Sequence, residues 1–411
     1  MIFRKETIYF SLIILASIIS LTKSGLIAYF LSPTNFGYFS IFLILTGYFQ
    51  YSQLGILNGL GRELPISLGK KDDQRSEILI GTTKRTLIIF QSIVSFILIL
   101  VLVFISFDSE IYNLIIFFAL ITSWISNFFQ LSMLRLRSEL RLIEFSLINF
   151  LVSFLGLILT IYFSIVFGLT GAILGTSLVF FVGYFYTEIF QLKSIKTKKK
   201  IFDKDFFLLL KVGFPMLVGA FLQTILFSLD KVLILNFYSV EKLGLYSFAS
   251  IPLIIGIGIS GIISTYFYPK ILHQFGKDNN KFEAYKISRN ISFILIGLGL
   301  LVFPLFSLIV NYLLSNFFQE YIEIMNILLF FYFPALLIAS NTFGATLMAS
   351  GQIFFIFLIE LILLIITLPI FIYLSLNNFD LIYFPIVLFF LLLIAFFISM
   401  LFAKKKSLTQ I

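Results

Sequence analysis

Apolar residues run in stretches of about twenty almost from one end of the chain to the other, with short polar joints between them. A helix needs about 20 such residues to cross hydrocarbon. The ten-residue alternating segments of a membrane β-barrel are absent from the sequence. The pattern predicts an all-α integral membrane protein with twelve transmembrane helices. The first six spans are 7–31, 36–60, 81–107, 111–134, 143–166 and 170–191. The second six are 207–236, 243–267, 288–313, 321–349, 352–375 and 381–402. The first run extends to about Leu31, too long for a signal-peptide core and without a clear cleavage site, so it reads as an uncleaved span.

The charges test this assignment. Starting from a cytoplasmic N-terminus, alternate joints should face the cytoplasm, and they collect 26 of the 29 Lys and Arg residues. Arg4 and Lys5, the loop from Arg62 to Arg85, Arg135 to Arg141, Lys193 to Lys211, Lys270 to Arg289, and Lys404 to Lys406 make up that set. The opposite joints hold only Lys242, while Lys23 and Lys231 lie inside spans. A wrong span count would scramble this asymmetry. Both termini therefore read as cytoplasmic. The joint Ser350-Gly351-Gln352 carries no charge and is the one weakly oriented.

Composition agrees: 60% of the 411 residues are hydrophobic, 12% are charged and mean hydropathy is +1.08. A net charge of +9 would suit nucleic acid, but its placement serves topology, so no nucleic-acid partner is expected. There is no Cys and a single His, which excludes disulfides, thiolate nucleophiles, zinc sites and iron–sulfur clusters. His273, beside Lys270 and Lys277, reads as a solvated surface residue. There is no P-loop and no metal-ligand cluster, so neither an enzyme nor a resident cofactor is expected.

The second half echoes the first at a constant offset of 207. Leu31-Ser32-Pro33-Thr34-Asn35-Phe36-Gly37-Tyr38-Phe39-Ser40 aligns with Tyr238-Ser239-Val240-Glu241-Lys242-Leu243-Gly244-Leu245-Tyr246-Ser247. Gly69-Lys70 meets Gly276-Lys277, and Lys23 falls on Asp230. An offset of six helices makes this a parallel 6+6 repeat, two six-helix lobes around a central cleft, as in alternating-access carriers. The expected organisation is a lobe at 1–192, a basic cytoplasmic linker at 193–206, a second lobe at 207–402 and a basic tail at 403–411.

Charges inside hydrocarbon cost about 2.5–3.5 kcal/mol each on insertion scales, so Lys23, Asp230 and Lys231 need a reason. They fit an ion pair that closes one side of a cleft, cations that bind an anionic substrate, or a static intramembrane salt bridge. Gln223, seven residues before Asp230, continues its face. The second span carries Thr46, Gln50, Gln53 and Asn58 broadly on one side, then Arg62-Glu63 at its end. Such amides either hold helices together or line a wet path, and Arg62 is either a site residue or an interfacial anchor. Glu360 and Asn341 could serve proton coupling, or could snorkel or bond neighbouring helices. Gly256, Gly258, Gly261, Ser260 and Ser264 suit close packing or bending. Gly213, Pro215 and Pro334 are candidate kinks.

Asp230-Lys231, the segment Glu241-Lys242-Leu243-Gly244-Leu245-Tyr246-Ser247, and Pro269 with the basic loop after it resemble the polysaccharide exporter branch of the multidrug/oligosaccharidyl-lipid/polysaccharide (MOP) superfamily. Within that branch the chain looks like the Wzx-type O-antigen flippases, over nearly its whole length. The resemblance implies a MATE/MOP-like fold in a bacterial inner membrane. It also implies an undecaprenyl-pyrophosphate-linked glycan turned from the cytoplasmic to the periplasmic leaflet. Membrane lipid, a polysaccharide polymerase and a chain-length regulator would be its partners. Lys23, Lys231 and Arg62 would meet the pyrophosphate, and Gln50, Gln53 and Gln223 the sugars. Drug-exporting relatives place an acid in the first span, where this chain has Lys23. A drug or small-solute antiporter is the alternative. An O-antigen polymerase fits less well, because no outer joint is longer than about ten residues.

Overall fold

The computed structural model describes residues 2–104, 110–192, 204–263, 281–349 and 353–408, and every regular element among them is helical. Lys193 to Lys200, Ser264, Pro269, Lys270, His273, Gly276, Lys277 and the Ser350-Gly351-Gln352 joint lie outside the described residues. In chain order the first seven helices are α1 (Ile2–Phe30), α2 (Pro33–Gln50), α3 (Ile56–Gly69), α4 (Asp73–Phe104), α5 (Glu110–Ser138), α6 (Leu142–Tyr186) and α7 (Lys204–Phe237). They are followed by α8 (Val240–Ala249), α9 (Ile251–Ile263), α10 (Lys281–Asn316) and α11 (Met325–Ser340). The last three are α12 (Phe343–Ala349), α13 (Ile353–Leu376) and α14 (Tyr383–Leu408).

Among the described residues, nine helices are long and apolar enough to cross a membrane, and two bent pairs raise the number to eleven. The twelfth crossing is inside α6. Its 45 residues would reach about twice the thickness of a hydrocarbon core as one rod. Gly168 interrupts it, with φ 59° and ψ −132°. The segments on either side pack on each other antiparallel, with Gly156 against Val179, Gly175 against Thr160 and Gly183 against Val152. Small residues let the two segments approach closely without help from a hydrophobic driving force, which lipid does not supply. The tight joint expected at Phe167-Gly168-Leu169 is therefore a helical hairpin. Only glycine adopts the Gly168 conformation without strain, so Gly168→Ala should cost about 1–3 kcal/mol. A lowered melting temperature of the purified protein in detergent would check this.

Several breaks fall where the sequence did not place them. The second span, expected unbroken over 36–60, bends by 57° between α2 and α3. Leu54 and Gly55 are both left-handed there, at φ 49° and 89°. The eighth span bends by 43° between α8 and α9. Pro252 sits in the first turn of α9, where a missing N–H is tolerated. The tenth span is interrupted at Asn341, with ψ 86°. By contrast, α7 runs without a break past Gly213 and Pro215, and α11 past Pro334. Gly213 serves contact instead of bending: a Cβ on Gly55 would lie 2.6 Å from its carbonyl carbon.

The chain divides into two compact units, Met1–Leu31 with Tyr38–Thr224, and Ser32–Gly37 with Ile225–Ile411. The first boundary brackets the turn after α1, and the last falls within α7. In the first unit, Ile56, Leu60 and Leu64 of α3 form a core with Leu79 and Leu87 of α4 and Leu209 of α7. The buried face of α5 is polar, with Thr122, Ser123, Ser126, Asn127 and Ser132 all within 1% of complete burial. In the second unit, Leu226 packs with Leu363, Leu391 and Ala395, while Phe343 and Leu347 pack with Tyr285 and Phe396. Outward-facing residues such as Phe96 and Leu301 stay 63% and 78% exposed, as lipid contact requires.

The 207 repeat is visible in local geometry. α1 ends at Phe30 and α7 at Phe237, and α2 starts at Pro33 and α8 at Val240. Ser32 Oγ accepts from Asn35 N–H, and Ser239 Oγ accepts from Lys242 N–H, the same N-cap bond in both copies. The two turns also pack against each other within the second unit. Gly37 lies on the Val240 carbonyl and Gly244 on that of Pro33, so each copy presents its glycine to the equivalent residue of the other.

Candidate functional site

In the first unit the polar stripe of the second span is committed to the α2–α3 break. Gln53 is buried, its Oε1 accepts from Leu57 N–H at 2.9 Å, and its Nε2 donates to Asn58 Oδ1 at 2.8 Å. Together they satisfy the start of α3, which has no other side-chain cap. Gln50 donates to Ser126 Oγ at 2.9 Å, and its carbonyl accepts from Asn127 at 3.2 Å. Tyr51 donates to the Ala220 carbonyl, with Thr224 Oγ1 2.5 Å away, and its ring packs on Phe221. The amides thus hold helices together, and the same bonds fix an amide- and aromatic-lined segment of α2.

Lys23 enters this unit from α1 against the α6 hairpin. Ser20 Oγ meets Ser153 Oγ at 3.2 Å, and one turn further the Lys23 ammonium lies over Gly156, 3.9 Å from where a Cβ would stand. Gly156 is what makes room for the side chain. No hydrogen bond or carboxylate reaches Lys23 among the described residues. Arg62 is 61% exposed and lies 3.8 Å from Glu63, which also stands 4.0 Å from Arg75. That geometry suits an interfacial anchor, because exposed pairs contribute little. Gln223 is exposed on α7.

In the second unit Asp230 is 2% exposed. Its Oδ2 accepts the Tyr246 hydroxyl at 2.7 Å, and its Oδ1 accepts the Lys231 backbone N–H at 2.8 Å. The Lys231 ammonium stands 3.9 Å from Oδ1 and 5.9 Å from the centre of the Tyr246 ring. Tyr246 is completely buried, with Phe331 and Phe384 edge-on around it. Asp230 and Lys231 are therefore one satisfied cluster, and Tyr246 is its third member. Sequence reasoning missed Tyr246, although the repeat alignment contains it. Glu360 and Asn341 lie in α13 and at the α11–α12 break.

A second charge cluster went unnoticed in the sequence. The turn after α6, Thr187–Gln191, winds as a π-helix and carries Glu188. Glu188 accepts from Ser132 at 2.9 Å and Lys84 at 3.3 Å, with Arg135 3.7 Å away. It joins the ends of α4, α5 and α6 at the side of the unit that carries the basic joints. The second unit also contains an apolar cavity of about 310 Å³ between α9, α10 and α11. Its one hydroxyl, Tyr332, donates to the Gly299 carbonyl, so the cavity offers nothing to a polar ligand.

No protein-family model matches the chain. The capsular polysaccharide biosynthesis protein CapF of Staphylococcus aureus is 33% identical over 165 residues, which is 40% of this chain and 40% of that protein. Solved structures match along the whole chain. An inward-facing multidrug resistance MATE transporter of the MOP superfamily gives a TM-score of 0.67 at 15% identity, covering 98% of this chain and 96% of that one. Its outward-facing counterpart gives 0.68 at 15% identity with the same coverage. A MOP superfamily transporter from Pyrococcus furiosus, described by the reverse polarity of its binding pocket, gives 0.68 at 13% identity, covering 97% and 96%. The chain has the MATE-like fold of these membrane transporters.

Proposed function

We propose that this protein is a flippase for an undecaprenyl-pyrophosphate-linked oligosaccharide, a capsule or O-antigen repeat unit, moved between leaflets of the bacterial inner membrane by alternating access. The observation that carries this reading is Lys23, a cation without a carboxylate partner inside the first unit. A lone buried ammonium suits an anionic headgroup and repels a cationic drug. The partial likeness to a capsule biosynthesis protein supports the same substrate class. So does the reversed pocket polarity reported for the Pyrococcus transporter of this fold. Lys231 and Arg62 add cations to the path, and Gln50, Gln53, Asn58 and Gln223 offer amides for sugar hydroxyls. The lipid tail stays in the bilayer.

The likeness to multidrug transporters favours a second reading, a drug antiporter, and one experiment separates the two. The chain is expressed in a strain lacking its own flippase and, in parallel, in a strain lacking its drug exporters. Restored surface polysaccharide without gained drug resistance is the expected result. Resistance without polysaccharide overturns it. Lys23→Ala should lower surface polysaccharide at least about tenfold, a barrier change of about 1.4 kcal/mol, with the protein still present in the membrane.

A further inference from the structure

Glu360 lies in the middle of the buried stripe of α13. Leu363, Thr367, Phe371 and Leu374 are buried, and all project within about 60° of Glu360 on a helix of 3.6 residues per turn. Ile356, one turn before, packs onto the cluster of Phe343, Leu347 and Phe396. Leu363, one turn after, packs onto Leu226, Leu391 and Ala395. Glu360 thus points inward between two apolar clusters. Among the described residues no hydrogen bond or ion pair reaches it.

The level of Glu360 on the neighbouring helix is the α11–α12 break. α12 and α13 run antiparallel, and the packing of Ile356 beside Phe343 and Leu347 sets their register. Counting back from that contact brings Asn341 level with Glu360. The Asn341 Oδ1 is buried and accepts no hydrogen bond. The break itself is held in shape from α10. Thr342 Oγ1 donates to the Ser288 carbonyl and stands 2.9 Å from Ser292 Oγ, and Ser288 Oγ meets Thr346 Oγ1 at 2.6 Å. A pinned break with an orphaned acceptor has a ligand of its own to satisfy.

A carboxylate at this level would add a second acceptor and leave both groups unsatisfied. A carboxylic acid carries one O–H, and that donor satisfies both. We propose that Glu360 and Asn341 form a proton-exchange site: protonated Glu360 donates its O–H to Asn341 Oδ1, and release of that proton to water leaves a carboxylate that forces the α11–α12 break to rearrange. The site makes the proton the coupling ion, and in that consequence it rests on the transport reading above. The other charged groups on packed elements are accounted for. Asp230 of α7 is committed to Tyr246 and Lys231, and Lys404 and Lys405 are exposed at the end of α14. α11 and α12 carry no charge.

Infrared difference spectroscopy across a pH jump, on the purified full-length protein in detergent, tests this directly. The expected result is a carboxylic-acid C=O band that disappears in Glu360→Gln and moves to higher frequency in Asn341→Leu, where the hydrogen bond is lost. Glu360→Gln keeps a donor for Asn341, so it should melt at the wild-type temperature while transport falls at least about tenfold. A band unchanged by both substitutions, or wild-type transport by Glu360→Gln, overturns the site. If the wild-type chain restores no surface polysaccharide, the flippase reading fails, and the infrared band still decides the proton site.

Discussion

Asp230→Ala should abolish most transport and also destabilise the protein, whereas Asp230→Asn should lose transport and keep the fold. Asp230 is 2% exposed and Lys231 only 13% exposed, so neither has water to fall back on. Breaking such a pair by removing one partner costs about 3–5 kcal/mol, because the remaining charge stays buried and uncompensated. The alanine also strands the Tyr246 hydroxyl, which is completely buried and otherwise bonded to Asp230 at 2.7 Å. An unsatisfied buried hydroxyl adds about 1–3 kcal/mol. Asparagine retains an acceptor for Tyr246 and for the Lys231 N–H, and removes only the charge. Membrane levels by immunoblot, together with surface polysaccharide, separate the two outcomes. The alanine variant should be depleted from the membrane. The asparagine variant should be present at near wild-type levels with at least about a tenfold loss of surface polysaccharide. Wild-type polysaccharide with Asp230→Asn would show that the charge of Asp230 takes no part in transport and that the cluster is only a structural bridge.

Gly37→Val and Gly244→Val should each destabilise the second unit strongly, and the double variant should cost less than the two added together. Any Cβ at Gly37 runs into the Val240 carbonyl, and any Cβ at Gly244 runs into that of Pro33. Backbone cannot rotate aside as a side chain does, so the two turns must separate. Overpacking of this kind costs about 1–3 kcal/mol per site. Once either substitution has opened the crossing, the second meets a contact already lost, which makes the pair non-additive. Gly25→Val is the control, since nothing lies within 4 Å of a Cβ at Gly25. Thermal melting of the four proteins in detergent reads the effect. Additive losses, or a Gly25→Val loss equal to the others, would mean that the reciprocal crossing contributes no specific stability.

How much of this was legible in the chain differs sharply between spans and sites. Span number and length follow from transfer of each residue into lipid, a property the residue carries with it. The Phe167-Gly168-Leu169 joint was legible because a chain reversal inside a continuous apolar run leaves glycine as its mark. The repeat was legible because its turns carry polar residues at matching places, and Ser32 and Ser239 do cap equivalent helices. The breaks at Leu54, Ser250 and Asn341 were not, and Pro215 and Pro334 misled. Proline in a span breaks it only where neighbours fail to re-satisfy the freed backbone groups, and that depends on what packs alongside.

The site divides in the same way. The sequence alone determined that Lys23, Asp230, Lys231 and Glu360 lie within apolar runs, because charge is visible against hydrocarbon. Only the tertiary structure decided that Tyr246 completes the Asp230 cluster, that Gly156 makes room for Lys23, and that Gln53 and Asn58 clamp a helix break. It also decided that Glu360 sits in the buried stripe of its helix. In a water-soluble protein the polar face of a helix reveals which side is outside. Here lipid is as apolar as the core, so both sides of a span read alike. Hydropathy reports whether a residue enters the membrane. What it touches there is a property of pairs, and pairs exist only once the helices have packed.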